Sequence, residues 1–152
     1  AELARRQRLE LRLIEYMDVG NRNGWAMEQV LPSSVMVERI SQRWPLHPLG
    51  RAPGRTARRW QYLDGRGGIA VIASISEPFC GDCNRLRITA DGQAFTCLFA
   101  THGTDLKPAL LSEHHLECAI RALWQIRSDR YSEVGRSSAE TASHAEMAYL
   151  GG

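Results

Sequence analysis

Cys80, Cys83 and Cys97, with Arg85 and Arg87 between the second and third, are the residues of this chain best suited to chemistry. Thiolates two residues apart can grip one ion or cluster from a single tight turn, and Gly81 and Asp82 are residues such a turn accepts. Cys97 must then return from a second element. A structural zinc site closes with four ligands and a standard iron–sulfur cluster also takes four thiolates, so three sulfurs leave one position open for substrate or chemistry. Guanidinium groups beside an open position suit anionic or hydrogen-bonding substrate groups. In an extended segment Arg85 and Arg87 share one face. The plainer reading of that pair is a solvated strand face.

Strands and turns have to hold these residues in place. Residues 1 to 10 are charged and end a helix, and Leu11 to Val19 alternates in the manner of a strand. Gly20 to Gly24 reads as a loop. Pro32-Ser-Ser34 offers a cap before a short amphipathic helix over Val35 to Ile40, which proline and glycine between Pro45 and Gly54 end. Arg58 to Leu63 and Ile69 to Ile75, joined by the turn-rich Asp64 to Gly68, predict a hairpin that leads directly into the cysteine turn. Leu86 to Thr89 and Ala94 to Phe99, joined around Asp91-Gly92, predict a second hairpin that brings Cys97 back towards Cys80 and Cys83. Asp105 or Ser112 can cap helical turns, and Glu113 to Arg127 places Leu116, Ile120 and Leu123 on a core-facing stripe. Ser128 to His144 is polar and reads as a loosely held loop.

The 152 residues are 43% hydrophobic and 24% charged, which is the composition of one globular domain and excludes a disordered or fibrous chain. The net charge of +2 argues against a dedicated nucleic-acid binder, although Lys107 is the only lysine among nineteen basic residues. No apolar run is long enough for a membrane span and no signal-peptide pattern opens the chain, so the expected location is the cytoplasm. Thiols gathered around one turn point to a reduced, metal-binding protein rather than to two disulfides. The chain opens on Ala1, which suggests a processed product or a piece of something longer.

Two readings of the thiols stay open at this stage. One is an iron–sulfur cluster with one iron free. The other is a zinc knuckle with a fourth ligand, acting as a binding module for RNA or a protein partner. Cys118 is the obvious fourth sulfur, but on its helix it points away from the Leu116 and Ile120 stripe, and His102, His114 and His115 are further candidates. By pattern alone Met17 fills core, and Trp25, Trp44, Trp60 and Trp124 are scattered packing residues.

Glu15-Tyr-Met-Asp-Val-Gly20, Glu77-Pro-Phe-Cys80, Cys83-Asn-Arg-Leu-Arg-Ile-Thr-Ala-Asp-Gly92, Cys97-Leu-Phe99, Asp129-Arg-Tyr-Ser132 and Met147 to Gly152 resemble, in that order, the C-terminal part of the GTP 3′,8-cyclase family of molybdenum-cofactor biosynthesis. The resemblance covers nearly the whole chain. It implies a radical S-adenosylmethionine lyase with two [4Fe-4S] clusters, one cleaving S-adenosylmethionine and the other holding GTP. The Cys-x-x-x-Cys-x-x-Cys motif of the first cluster does not occur in these residues. The implied fold is α+β, a small antiparallel sheet with covering helices, from an enzyme whose N-terminal incomplete α/β barrel is mostly absent here. Residues 1–20 would be the last barrel strand and 21–152 the substrate-cluster domain.

Carried over by position, Cys80, Cys83 and Cys97 are implied ligands of the substrate cluster, with Arg85, Leu86 and Arg87 contacting GTP. Met17 falls at a position touching S-adenosylmethionine, whose site is otherwise incomplete. Gly151 and Gly152 match a double-glycine tail that reaches into the active site and is needed for activity, so that Arg85, Arg87, Gly151 and Gly152 are the implied catalytic residues. The implied partners are GTP and the N-terminal barrel, and the exposed edge of an unaccompanied barrel strand suggests a homo-oligomer. These residues alone are expected to be inactive.

Overall fold

The computed structural model describes residues 1–19, 24–134 and 144–151. They fall into two compact units, one made of Ala1–Met17 and Trp25–Cys83, the other of Asp18–Gly24 and Asn84–Gly152. Among the described residues no helix is long and apolar enough to cross a membrane.

In the first unit Glu2–Arg6 is helix α1 and Glu10–Ile14 strand β1, followed by α2 (Ser33–Arg43), β2 (Leu46–Gly50), β3 (Arg58–Tyr62) and β4 (Gly68–Ile72). The sheet order is β1-β4-β3-β2; β3 pairs antiparallel with both β2 and β4, while β1 runs parallel to β4. Strand β4 is central, and Ile69, Ala70 and Val71 are almost wholly buried, so its apolar run is continuous rather than alternating. Its first residue, Gly68, leaves no room for a side chain: a Cβ there would lie 2.3 Å from the Trp60 carbonyl. The core is Tyr62, Ile69 and Val71, packed by Leu11 and Leu13 of β1, Trp60 of β3, and Val37, Ile40 and Trp44 at helical spacing along and just after α2.

The expected hairpin of β3 and β4 is present, and three expectations about its surroundings need correction. The strand expected over Leu11 to Val19 stops at Ile14, so Met17 lies beyond it. The Pro45 to Gly54 segment does not merely end a helix, because Leu46–Gly50 pairs with β3; Pro48 is tolerated because β2 is an edge strand. Ser33 and Ser34 do not cap α2 with their side chains.

Glu15 does that work instead. Its carboxylate is 1% exposed and accepts four donors: Ser33 N–H (2.7 Å) and the Ser76 hydroxyl on Oε1, Ile75 N–H (2.7 Å) and Ser76 N–H (2.8 Å) on Oε2. Charge at the start of α2 also complements the helix dipole. Burial pushes the Glu15 carboxyl up, but the bonds from Ser76, Ile75 and Ser33 outweigh it and hold it below the ordinary carboxylate value. A group depressed on folding contributes stability above its unfolded value, and that contribution is lost as pH falls through the folded one. We therefore expect stability to drop as pH falls below the ordinary carboxylate range. Glu15→Gln should cost about 1.5–3 kcal/mol at neutral pH, the worth of a hydrogen bond to a charged group, and should flatten that acid limb in urea titrations. An unchanged acid limb would assign the drop to other carboxylates.

The second unit holds a three-stranded antiparallel sheet of β5 (Arg87–Ile88), β6 (Gln93–Phe95) and β7 (Thr104–Asp105), in that order, and helices α3 (Glu113–Gln125) and α4 (Tyr131–Val134). The β5–β6 turn closes at Gly92, whose φ of +83° suits glycine. Thr89 N–H donates to Gln93 C=O at 2.9 Å across the same turn. Ala94, Phe95, Phe99, Leu106 and Leu150 are buried. Ser112 caps α3 by accepting from His115 N–H, as expected; Asp105 accepts Lys107 N–H at 3.0 Å, but the N-cap of the Lys107–Ala109 turn is Leu106, which has no side-chain cap. Helix α3 is less core-facing than its pattern predicts: none of its residues is fully buried, and Leu116, Ile120 and Trp124 line an open groove. The whole is α+β, two small sheets with few helices.

Candidate metal centre and nucleotide site

Cys80 and Cys83 sit on one turn of the first unit. Cys80–Asp82 is a 3-10 turn, closed by Cys83 N–H to Cys80 C=O at 3.3 Å, and both cysteines are half-buried and outside any disulfide. The loop between β2 and β3 braces it. Asp82 accepts Gly54 N–H at 3.1 Å on both carboxylate oxygens and pairs with Arg51 at 3.7 Å, while the Arg51 guanidinium lies 5.3 Å from the Phe79 ring centre. Phe79, just before Cys80, is itself buried.

Cys97 belongs to the second unit and is also half-buried and outside any disulfide. The strand expected to carry it ends at Phe95, because the β5–β6 ladder runs only from Arg87/Phe95 to Ile88/Ala94. Side chains fix Cys97 from both sides instead. Before it, the Thr96 hydroxyl donates to Asp129, and Arg127 reaches both the Thr96 carbonyl (3.3 Å) and Asp129 (3.4 Å). After it, the Phe99 ring stacks on Tyr131 at 4.3 Å and the Phe99 carbonyl accepts His144 Nδ1–H at 2.8 Å. Tyr131 in turn donates to Asp18 at 2.9 Å. Phe99 N–H points at the Cys97 sulfur, 3.4 Å away, a contact of the kind that tunes a metal-bound thiolate. Sequence reading marked Asp129 to Ser132 as a motif without a role and took the surrounding stretch for a loose loop. The signal it lacked was contact between residues far apart in the chain.

Of the arginine pair, only Arg87 is in a strand; Arg85 precedes β5 and is exposed. Leu86 between them is half-buried. Met17 is half-buried, next to Tyr16, whose carbonyl accepts Trp25 Nε1–H at 2.8 Å. The tail is docked on its own unit: Leu150 is buried, and Tyr149 lies edge-on to Phe95 at 6.0 Å and donates to Asp91 at 2.9 Å. The hydroxyls of Thr89, then Tyr149, hold the Asp91 carboxyl below its usual range. Gly151 has φ +81°, and Gly152 lies outside the described residues.

The alternative ligands are dispersed. Cys118 is exposed on α3, 3.7 Å from His114 one turn earlier, and His102 and His115 are exposed. Among the described residues no three of His, Cys, Asp and Glu are gathered as the ligands of a single metal ion. Thiolates are the donors that iron–sulfur clusters take, each on its own iron, and the Cys80–Cys83 turn supplies two of them from one short segment.

A braced Cys-x-x-Cys turn and a third, separately braced cysteine, on an α+β scaffold, define a candidate metalloprotein. Residues 9–133 match the family described as Molybdenum Cofactor Synthesis C, and the chain belongs to that family. It is 70% identical, over all of its 152 residues, to the GTP 3′,8-cyclase of Synechococcus sp. (strain CC9605), and 67% identical over the same span to that of Synechococcus sp. (strain WH7803). A GTP 3′,8-cyclase of Xanthomonas campestris pv. campestris (strain B100) is 48% identical over 93% of the chain. The chain spans 44%, 44% and 42% of these relatives' own lengths.

Proposed function

We propose that this chain is the substrate-cluster part of a GTP 3′,8-cyclase, the enzyme converting GTP to (8S)-3′,8-cyclo-7,8-dihydroguanosine 5′-triphosphate in molybdenum-cofactor biosynthesis in the cytoplasm. The observation carrying this reading is that a relative with that name matches the chain over its whole length at 70% identity. In it Cys80, Cys83 and Cys97 hold a [4Fe-4S] cluster, which when bound supplies one iron not ligated by protein, a Lewis-acidic position for a guanine donor atom.

The chain's own residues do the rest. Arg85 and Arg87 supply planar guanidinium forks for the nucleotide, Leu86 an apolar contact between them. Half-burial of the thiols limits water at the metal, and Asp82, Asp129 and Phe99 fix the segments that carry them. Gly151 and Gly152 form the tail of the nucleotide site, and Met17 contributes to S-adenosylmethionine binding. Residues 1–20 are assigned to the last strand of an incomplete barrel and 21–152 to the substrate-cluster domain. The outer edge of β1 is where a barrel strand, or a second copy, pairs.

Titrating the cluster-loaded chain with nucleotides under anaerobic conditions tests the reading. GTP is expected to perturb the cluster's visible and electron-paramagnetic-resonance spectra, and ATP to leave them unchanged. Identical responses to both nucleotides, or none to either, would count against it.

A further inference from the structure

Glu15 occupies a place in the first unit that its capping role does not exhaust. It lies two residues before Met17, and its carboxylate is bonded to Ile75 and Ser76, the segment that runs through Glu77, Pro78 and buried Phe79 into Cys80. The same carboxylate takes Ser33 N–H at the head of α2. We infer that Glu15 is a positioning residue for the cysteine turn, setting the direction in which Cys80 and Cys83 leave β4. The inference rests on the proposed role of those cysteines, but its physical content is independent of any metal.

The argument is geometric. Strand β4 ends at Ile72, and no strand lies between it and the Cys80–Asp82 turn; within that stretch Glu77 N–H bonds back to Ala73 C=O at 3.3 Å. Two backbone N–H groups of that stretch, Ile75 and Ser76, end on one carboxylate oxygen at 2.7 and 2.8 Å. The Ser76 hydroxyl goes to the other oxygen and lies 3.2 Å from the Ser33 hydroxyl. Glu15 is tied to β4 as well, its own N–H donating to Ile72 C=O at 3.2 Å. The approach to the turn is thus fixed by a buried, fully engaged anion rather than by a ladder, and only a carboxylate can accept on both oxygens at once. A glutamine can keep Ile75 and Ser76 on its carbonyl, turning its amide towards the Ser76 hydroxyl and losing Ser33. An alanine loses every partner. The two variants therefore separate helix capping from turn positioning.

The test uses the metal-free, reduced chain and alkylation by iodoacetamide, with rates read site by site from peptide masses. Cys97 and Cys118, on the other unit, are internal controls. In Glu15→Ala, Cys80 and Cys83 are expected to react at least about tenfold faster, the change in an opening equilibrium that one lost charge-assisted hydrogen bond produces, while Cys97 and Cys118 keep their rates. Glu15→Gln should leave all four close to wild type, although it destabilises the fold. If Glu15→Ala does not fold, amide exchange in Glu15→Gln decides: protection is kept at Ile75 and Ser76 and lost at Ser33. Equal acceleration at all four cysteines, or loss of protection at Ser33, Ile75 and Ser76 alike, would reduce Glu15 to a general stabiliser and overturn the inference. A wild-type chain that takes up no cluster would count against the proposed function and leave the alkylation pattern as it is.

Discussion

Replacing Arg85 or Arg87 by lysine is expected to weaken GTP binding to the cluster-loaded chain by roughly ten- to hundredfold, although the charge is kept. A charge-assisted hydrogen bond is worth about 1.5–3 kcal/mol, and an ammonium cannot reproduce the two-pronged fork of a guanidinium. The structure distinguishes the two positions. Arg87 is half-buried and pairs with Phe95 in the β5–β6 ladder, so its backbone is set before the nucleotide arrives, whereas Arg85 is exposed and stands before the strand. Arg87→Lys should therefore cost more than Arg85→Lys. Isothermal titration with GTP, and ATP as control, reads both. Unchanged affinity in both variants would return the pair to an ordinary solvated surface.

The second large effect concerns the thiols. Cys80→Ser, Cys83→Ser and Cys97→Ser should each abolish stable cluster loading in anaerobic reconstitution, because a hard hydroxyl is a poor replacement for thiolate on iron. Cys118→Ser should load as wild type does, its side chain lying exposed on α3 beside His114. In air the loaded chain should bleach, leaving thiols or a disulfide among the same three cysteines. Iron retained through desalting, measured per chain, reports each variant. Full loading of Cys97→Ser would remove that residue from the ligand set.

Much of this was legible in the sequence where local rules are strong. Asp91-Gly92 announced the β5–β6 turn, Asp64 to Gly68 the β3–β4 hairpin, and Ser112 the start of α3, since turn chemistry and capping act over a few residues. The failures share one cause. Pro48 read as a breaker because nothing local says that β2 is an edge strand, and Ser33 read as a cap because Glu15, far away in sequence, was already on its N–H. The residues around Cys97 were missed in the same way. Asp18, Asp129 and Tyr131 fall in segments that carry the family resemblance, but their hydrogen bonds, with those of Thr96 and His144, exist only once the chain has folded. The cysteines could be read directly because ligand chemistry depends on residue type first. What braces them could not.

The central claim is that Cys80, Cys83 and Cys97 carry a four-iron cluster and not zinc. Iron, acid-labile sulfide and zinc, quantified per chain after anaerobic reconstitution and desalting, test it most directly. The account predicts about four iron and about four sulfide per chain with zinc at background, and a brown protein with visible charge-transfer absorption. A colourless protein with one zinc per chain, retained in wild type and lost in Cys118→Ser, would contradict it.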